Sequence, residues 1–296
     1  MKVLFQNRDP KSWIGGDQVQ LEKTRQALPI ETSFSFDIEY STDADIVHCF
    51  NFSMPWTKYQ IWNAKRQGKK VVCSMIYHEM EDFIPYTTQQ AMINELDACI
   101  FLTQGELERV RRHMSVPDEK IHFIPNGIEE WWFDHIDDPI PCEVLTVGRI
   151  DANKGQLAVA KACRELGLKY TCIGNCDPAY ALLLELEGAT VLAPMEHKEL
   201  KRYYAGCQVF ALVSYKELMP LTVMEAGSQG KNIVLTTGCE WEIDCDRAEY
   251  NNVESIEKAL LKAIERPENT DFRDKLKGMT WDKVAKQLMD IYAKIH

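Results

Sequence analysis

"SYKELMPLTVMEAGSQGKNIVLTT" runs from Ser214 to Thr237 and is framed by two buried-strand signals. The apolar run Val209-Phe210-Ala211-Leu212-Val213 ahead of it is too short for a helix, and Asn232 to Thr236 reads as another buried strand. Between them a loop carries Glu217. Pro220 suits the first helical position, where no N–H partner is lost. Gly227 and Gly230 end the predicted helix. Glu225 then sits about a turn and a half into it, with seven residues between it and Glu217. Both carboxylates can face the carboxyl edge of a parallel sheet, where open α/β folds bind ligands, and the helix aims its positive end there.

Outward from this segment the same alternation continues. "CEVLTVGRIDANKGQLAVAKACREL" (Cys142 to Leu166) is a strand, a Gly148 turn, Arg149, a loop with Lys154-Gly155, and a helix. Strands at 169–173 and 190–192 and helices at 178–187 and 198–205 follow, so the second half predicts a doubly wound sheet. The first half has strand signals at 2–5, 44–50, 69–79, 98–102 and from Ile121, and helices at 19–28, 56–67 and 103–113, the last capped by Thr103. Asp137-Asp138, Pro139 and Pro141 mark a linker. The expected organisation is an N-terminal domain over 1–135, a second over 141–278, and a last helix over 279–296 that crosses back to the first domain. That helix carries the apolar stripe Val284, Leu288, Ile291, Tyr292 and Ile295.

At 296 residues the chain is comfortable for two domains, and 45% apolar with 10% aromatic residues describes a folded protein. No apolar run approaches the roughly 20 residues of a membrane span, and "MKVLFQNRDP" reads as a first strand rather than a signal peptide. Ten cysteines without a C-x-x-C, five of them in strand-like runs (Cys49, Cys73, Cys99, Cys172, Cys207), suit a reduced, cytoplasmic chain. A net charge of −11 argues against a phosphate-tracking nucleic-acid surface. Asp244-Cys245-Asp246 and Asp43-Ala44-Asp45 mimic a D-x-D metal motif but read as capping or flanking residues, so no metal site is expected.

Chemistry concentrates at a few places. Arg149 at a strand end and Lys154 beside a helix start can converge on one diphosphate, the first as a planar fork and the second as a mobile charge. Gly15-Gly16 between a strand and a helix can let backbone approach a phosphate. His78 falls just past a strand end, a site position, whereas His48 is mid-strand and reads as core. Arg109, Arg111, Arg112 and His113 form a basic helix end, either simply solvated or touching an acceptor or an anionic membrane. Trp56, Tyr59 and Trp62 share a helix that lines an acceptor groove, touches a membrane or packs.

Glu217-x7-Glu225, written E-x-x-P and then E-A-x-x-x-G, resembles the paired-glutamate signature of retaining nucleotide-sugar glycosyltransferases of family four. Gly15-Gly16, His78, Pro125-Asn126-Gly127, Gly148-Arg149 and Lys154-Gly155 stand in that family's order over nearly the whole chain. The resemblance implies a GT-B fold: two Rossmann-like doubly wound domains facing across a cleft. It implies retaining, metal-independent transfer of a sugar from a UDP- or GDP-sugar to an acceptor hydroxyl, with no cofactor required. Glu217, His78, Arg149 and Lys154 would be catalytic, with Glu217 and His78 on the donor sugar. Gly15, Gly16, Gly148, Arg149, Lys154, Pro220, Leu221, Thr222 and Glu225 would bind the donor, Glu225 at the ribose. Trp56, Tyr59, Arg109 and Arg112 would contact the acceptor. The chain departs from the family at Pro220, where glycine is usual, and at Ser228 to Asn232, which replaces A-x-G-x-P-V. Acceptors left open are a surface polysaccharide, a lipid-linked or small molecule, with peripheral membrane contact, or a hydroxymethylated base in DNA. A nucleotide-sugar-binding protein without transfer activity is the reading from another class.

Overall fold

A computed structural model describes residues 1–9, 15–79 and 84–296. These form two compact units, Met1–Gly127 with Met279–His296, and Ile128–Gly278. Of the polar loop expected before Gly15, residues 10–14 lie outside the described residues.

The first unit alternates strands and helices: β1 (Lys2–Gln6), α1 (Gly16–Ala27), β2 (Glu31–Ser35), β3 (Ile46–Phe50), α2 (Pro55–Arg66), β4 (Lys70–Ser74), α3 (Tyr86–Glu95), β5 (Ala98–Phe101), α4 (Gln104–Arg111) and β6 (Ile121–Phe123). The sheet is parallel in the order β2-β1-β3-β4-β5-β6. Helices cover a parallel sheet on both faces, which is why β3 and β5 are buried at every position. Cys49, Cys73 and Cys99 occupy one rung across β3, β4 and β5. Burial pushes all three thiols up, Cys99 to about 12, so they act as small apolar groups. The expected cap of α4 is present: Thr103 Oγ accepts the Glu106 N–H at 3.1 Å.

The second unit repeats the design with β7 (Cys142–Val147), α5 (Gln156–Leu166), β8 (Tyr170–Ile173), α6 (Pro178–Leu186), β9 (Thr190–Leu192), α7 (His197–Gly206), β10 (Cys207–Leu212), α8 (Leu221–Ser228), β11 (Asn232–Thr236), β12 (Asp246–Ala248), α9 (Val253–Glu265) and α10 (Thr270–Lys277). Its parallel sheet runs β12-β11-β10-β7-β8-β9. Asp177 caps α6, taking the Ala179 N–H at 2.9 Å, with Pro178 at the first helical position. Trp131 and Trp132, just past the Pro125-Asn126-Gly127 turn, belong to this unit, where Trp132 is buried against Tyr204.

The last helix, α11 (Trp281–Ile295), belongs to the first unit and packs along α1. Val284, Leu288, Ile291 and Tyr292 of the expected stripe are buried, and Ile295 is half-buried. Gly127 lies directly beneath the start of α11: a Cβ there would stand 2.6 Å from the Trp281 nitrogen and 2.8 Å from its Cα. His48 is interior, as its mid-strand place implies. Its Nδ1 lies 2.6 Å from the Tyr292 hydroxyl and its Nε2 2.9 Å from Ser74 Oγ. Complete burial drives the imidazole pKa down to about 3, so it is neutral in the fold.

Among the described residues no helix is long and apolar enough to cross a membrane. All ten cysteines are free thiols.

Two outcomes follow from this packing. Gly127→Ala should destabilise the first unit by about 1–3 kcal/mol, since the obstacle is backbone that cannot yield as a side-chain tip would; urea unfolding measures it. His48 binds no proton in the fold above its lowered pKa but does so in the unfolded chain below about 6.5. Its contribution is therefore complete above that value and falls as pH drops from 6.5 toward 3. Between pH 6.5 and 5 the unfolding free energy of the native protein, from urea titrations, should fall more steeply than that of His48→Gln, by up to about 1.4 kcal/mol per pH unit.

Candidate functional site

The second unit holds the densest grouping of the expected residues, and its topology explains why. From β7 the chain moves to β8 on one side and later returns to β10 on the other. The loops leaving β7 and β10 therefore stand side by side at the carboxyl edge, the place where open α/β folds bind ligands.

The β7 loop passes through Gly148 and Arg149, makes a 3-10 turn over Ala152–Lys154 and enters α5 at Gly155. Gly155 has φ +71, and a Cβ on it would lie 2.2 Å from the Val213 carbonyl oxygen, so only glycine lets this turn rest on the end of β10. Gly174 has φ +158 and meets the Gly148 carbonyl oxygen in the same manner, its Cβ position 1.8 Å away. The buried Gln156 donates to the Arg149 carbonyl at 2.8 Å, and the Tyr215 N–H to the Asn153 carbonyl at 2.7 Å. Two loops are thereby stitched into one surface.

On that surface Lys154 Nζ lies 2.6 Å from Glu217 Oε1, and Ser214 Oγ donates to the same oxygen at 2.6 Å. Ser214 is buried; the Glu217 side chain is 11% exposed and that of Lys154 26%. Among the described residues no further hydrogen bond reaches the Glu217 carboxylate, which leaves Oε2 for a ligand. The Glu217 backbone is anchored beyond β11, its N–H on the Gly238 carbonyl at 3.4 Å and its carbonyl taking the Glu240 N–H at 3.2 Å. Arg149 is 41% exposed, with its Nε donating to Asp151 Oδ2.

Pro220 precedes α8 in an extended conformation, so it is the cap residue, one position before the expected start. The N–H groups of Leu221 and Thr222 are in the first turn and have no intrahelical acceptor. Glu225 lies a turn further in, and its Oε2 accepts the Tyr204 hydroxyl at 2.7 Å. The helix runs to Ser228, past Gly227, before the left-handed Gly230.

The first unit holds the remaining expected residues. Gly15 precedes α1, and a Cβ on it would lie 2.8 Å from both Arg8 Nη2 and Asp17 Oδ1; Gly16 is open to solvent. Arg8 and Asp17 form a two-pronged ion pair, and Asn7 and Asn51 also donate to Asp17. Burial alone would raise the Asp17 pKa, but these donors hold it below the usual carboxylate range. His78 is half-buried, its N–H bonded to Ser53 Oγ at 2.9 Å. Next to it the Tyr77 N–H donates to the buried Glu106 at 2.7 Å. Trp56 is half-buried; Tyr59 is exposed, edge-on to Trp62, with Lys58 Nζ 4.7 Å from its ring centre.

The basic helix end divides. Arg112 is exposed, but Arg109 is 1% exposed, its guanidinium 5.9 Å from the Tyr77 ring centre. Arg109, expected to be solvated or to touch an acceptor, lies instead in the core, because α4 turns that face inward. His113 stacks on Tyr86 at 4.1 Å. The two D-x-D look-alikes are engaged in the fold: Asp43 pairs with Lys2, Asp45 accepts the Lys2 N–H, and Asp246 pairs with Arg266. Sequence reasoning missed Ser214, Gln156 and Tyr204. Ser214 carried a weak signal in its closeness to Glu217; Tyr204 carried none, since it comes from another helix.

Two family models match the chain: Glycosyltransferase Family 4 over residues 29–131 and Glycosyl transferases group 1 over residues 141–266. No curated protein matches it in sequence. Among solved structures, a sucrose-phosphate synthase from Thermosynechococcus elongatus superposes with a TM-score of 0.80 at 15% identity, over 99% of this chain and 98% of that one. Anabaena HepE in complex with UDP and glucose gives 0.79 at 12% identity, over 99% of each chain. A glycosyltransferase from Rickettsia africae gives 0.75 at 12% identity, over 99% and 98%. At such identities the structural likeness shows the fold. The fold is GT-B, and with the two model matches it supports a GT-B glycosyltransferase.

Proposed function

We propose that the chain is a retaining glycosyltransferase that moves a sugar from a nucleoside-diphosphate sugar to an acceptor hydroxyl, without a metal. The observation that carries this is the Lys154–Glu217–Ser214 contact beside the start of α8, at the switch point of a parallel sheet. It joins a mobile cation, a carboxylate with an open oxygen and free helix N–H groups. Those three suit a sugar linked to a diphosphate.

In this reading Arg149 and Lys154 neutralise the departing diphosphate, helped by the N–H groups of Leu221 and Thr222 behind Pro220. Gly148 lets the backbone come close. Glu217 Oε2 accepts from hydroxyls of the donor sugar, and Glu225 from the ribose. Gly15 and Gly16 offer backbone to the diphosphate, and His78 reaches the sugar. The acceptor oxygen attacks the anomeric carbon on the face the diphosphate leaves. The bond from that carbon to the phosphate oxygen breaks, and the acceptor proton passes to the departing oxygen. Positioning and fixed charge supply the rate. The complexes of HepE with UDP and with UDP-glucose favour a uridine donor over a guanosine one.

The acceptor proposed is a glycan, a lipid-linked sugar or a small molecule, met through the face bearing Trp56, Tyr59 and Arg112, in the cytoplasm or at the inner face of a membrane. Burial of Arg109 removes one cation that a DNA acceptor would use, in line with the net charge of −11.

The test is binding and turnover on UDP-glucose and related donors. UDP should raise the melting temperature, and Lys154→Ala should weaken UDP by roughly 10- to 100-fold, the value of a charge-assisted hydrogen bond. Glu217→Gln should bind UDP within about threefold of the native protein while losing at least about 100-fold in turnover, because it meets the sugar and not the nucleotide. NMR of the product should show the anomeric configuration of the donor. If no nucleoside diphosphate or its sugar shifts the melting temperature, the proposal fails.

A further inference from the structure

We propose that Tyr204 is a positioning residue for the nucleotide: its buried hydroxyl sets the Glu225 carboxylate in the orientation that receives the ribose diol. The proposal rests on the reading of Glu225 as the ribose contact.

Tyr204 lies on α7, entirely buried, 21 residues before Glu225. Its ring is clamped edge-on to Trp132 with centres 5.7 Å apart and tilted against Phe210 at 5.6 Å. The phenol thus has a fixed direction before any ligand arrives. Burial first, and the Glu225 charge second, push its pKa well above the usual phenol value, so it remains a donor. It donates to Glu225 Oε2 at 2.7 Å. A glutamate side chain otherwise loses rotamer freedom when it is fixed. Here the fold meets that cost beforehand, which raises affinity without adding a ligand contact.

Packing alone explains the ring of Tyr204 but not its hydroxyl. A phenylalanine would fill the same aromatic cluster without bringing a polar atom into it. The hydroxyl is aimed at a half-buried carboxylate on the helix whose first turn faces the candidate site. The end of α8 is also anchored: Gln229 Nε2 donates to the Trp132 carbonyl, and the Ser228 hydroxyl donates to the Glu225 carbonyl at 2.6 Å, so the aromatic cluster fixes helix and side chain together.

The test measures UDP and 2′,3′-dideoxy-UDP binding by calorimetry in native protein, Tyr204→Phe, Glu225→Ala, Glu225→Gln and the Tyr204→Phe/Glu225→Ala double variant. Tyr204→Phe should weaken UDP by roughly 5- to 20-fold, less than a direct hydrogen bond to a charged group, because it acts through Glu225. With UDP-glucose as donor, KM should rise while kcat at saturation stays within about twofold. Dideoxy-UDP should bind native and Tyr204→Phe proteins equally, and Tyr204→Phe should add nothing on the Glu225→Ala background. Unchanged UDP binding in Tyr204→Phe, an equal loss with dideoxy-UDP, or additive losses in the double variant would overturn the proposal. Glu225→Gln, which still accepts from Tyr204, gives a second reading if Tyr204→Phe does not fold. It should lose less UDP affinity than Glu225→Ala, and equal losses overturn the proposal. If Glu225→Ala binds UDP as native protein does, the ribose reading of Glu225 fails instead, and the role of Tyr204 with it.

Discussion

A lysine and a glutamate from loops on adjacent strands meet 2.6 Å apart at the carboxyl edge of the second sheet. As a stabilising element this pair is weak, since partly exposed ion pairs contribute only about 0–1 kcal/mol. Its importance is geometric. Lys154 ends a turn that can exist only because Gly155 accepts a positive φ and no side chain stands between it and Val213. Glu217 is delivered by the strand that supplies Val213 itself. The order of strands, the glycines and the loop stitches all converge on holding these two charges together.

Neutral groups complete the arrangement. Ser214 and Lys154 both take Oε1 of Glu217, and Tyr204 takes one oxygen of Glu225. Each glutamate of the pair is thus met by a hydroxyl from a buried residue. Preorganised carboxylates of this kind stabilise a bound sugar or ribose more than freely rotating ones do, since less order is lost on binding.

The alternation of strand and helix was legible because parallel strands read as short apolar runs; the strand expected at 190–192 matches the structure residue for residue, and the last helix, expected over 279–296, spans 281–295. Four elements left no such trace. β2 and β12 are edge strands, the first exposed or half-exposed throughout with the sequence ETSFS, the second only three residues long. α3 and α10 have polar compositions, and α10 buries only Phe272 and Leu276. At the site, the places of Lys154 and Glu217 on the loops after β7 and β10 were legible through strand and helix order, while their roles came from the resemblance. Tyr204 and Gln156 were not, because a contact between elements distant in sequence leaves no periodic signal. Arg109 misled for a related reason: its neighbours Arg111 and Arg112 are exposed, and a run of charge does not reveal which member faces inward.

The fate of the cations separates the two units chemically. Each sheet has a switch point, β1 against β3 in the first and β7 against β10 in the second, and an arginine or lysine stands at both. In the first, Arg8 is 6% exposed and grips Asp17, itself 9% exposed. Drawing Arg8 onto a ligand would leave the buried Asp17 with amide donors from Asn7 and Asn51 but without its countercharge, a loss of about 3–5 kcal/mol. In the second, Lys154 and Arg149 keep 26% and 41% of their side chains in solvent, and Glu217 retains its bond from Ser214 when Lys154 departs. Exchange of partners is therefore inexpensive only in the second unit. A diphosphate needs cations that can change partners as charge develops, so on the proposed reading the second unit carries the leaving group.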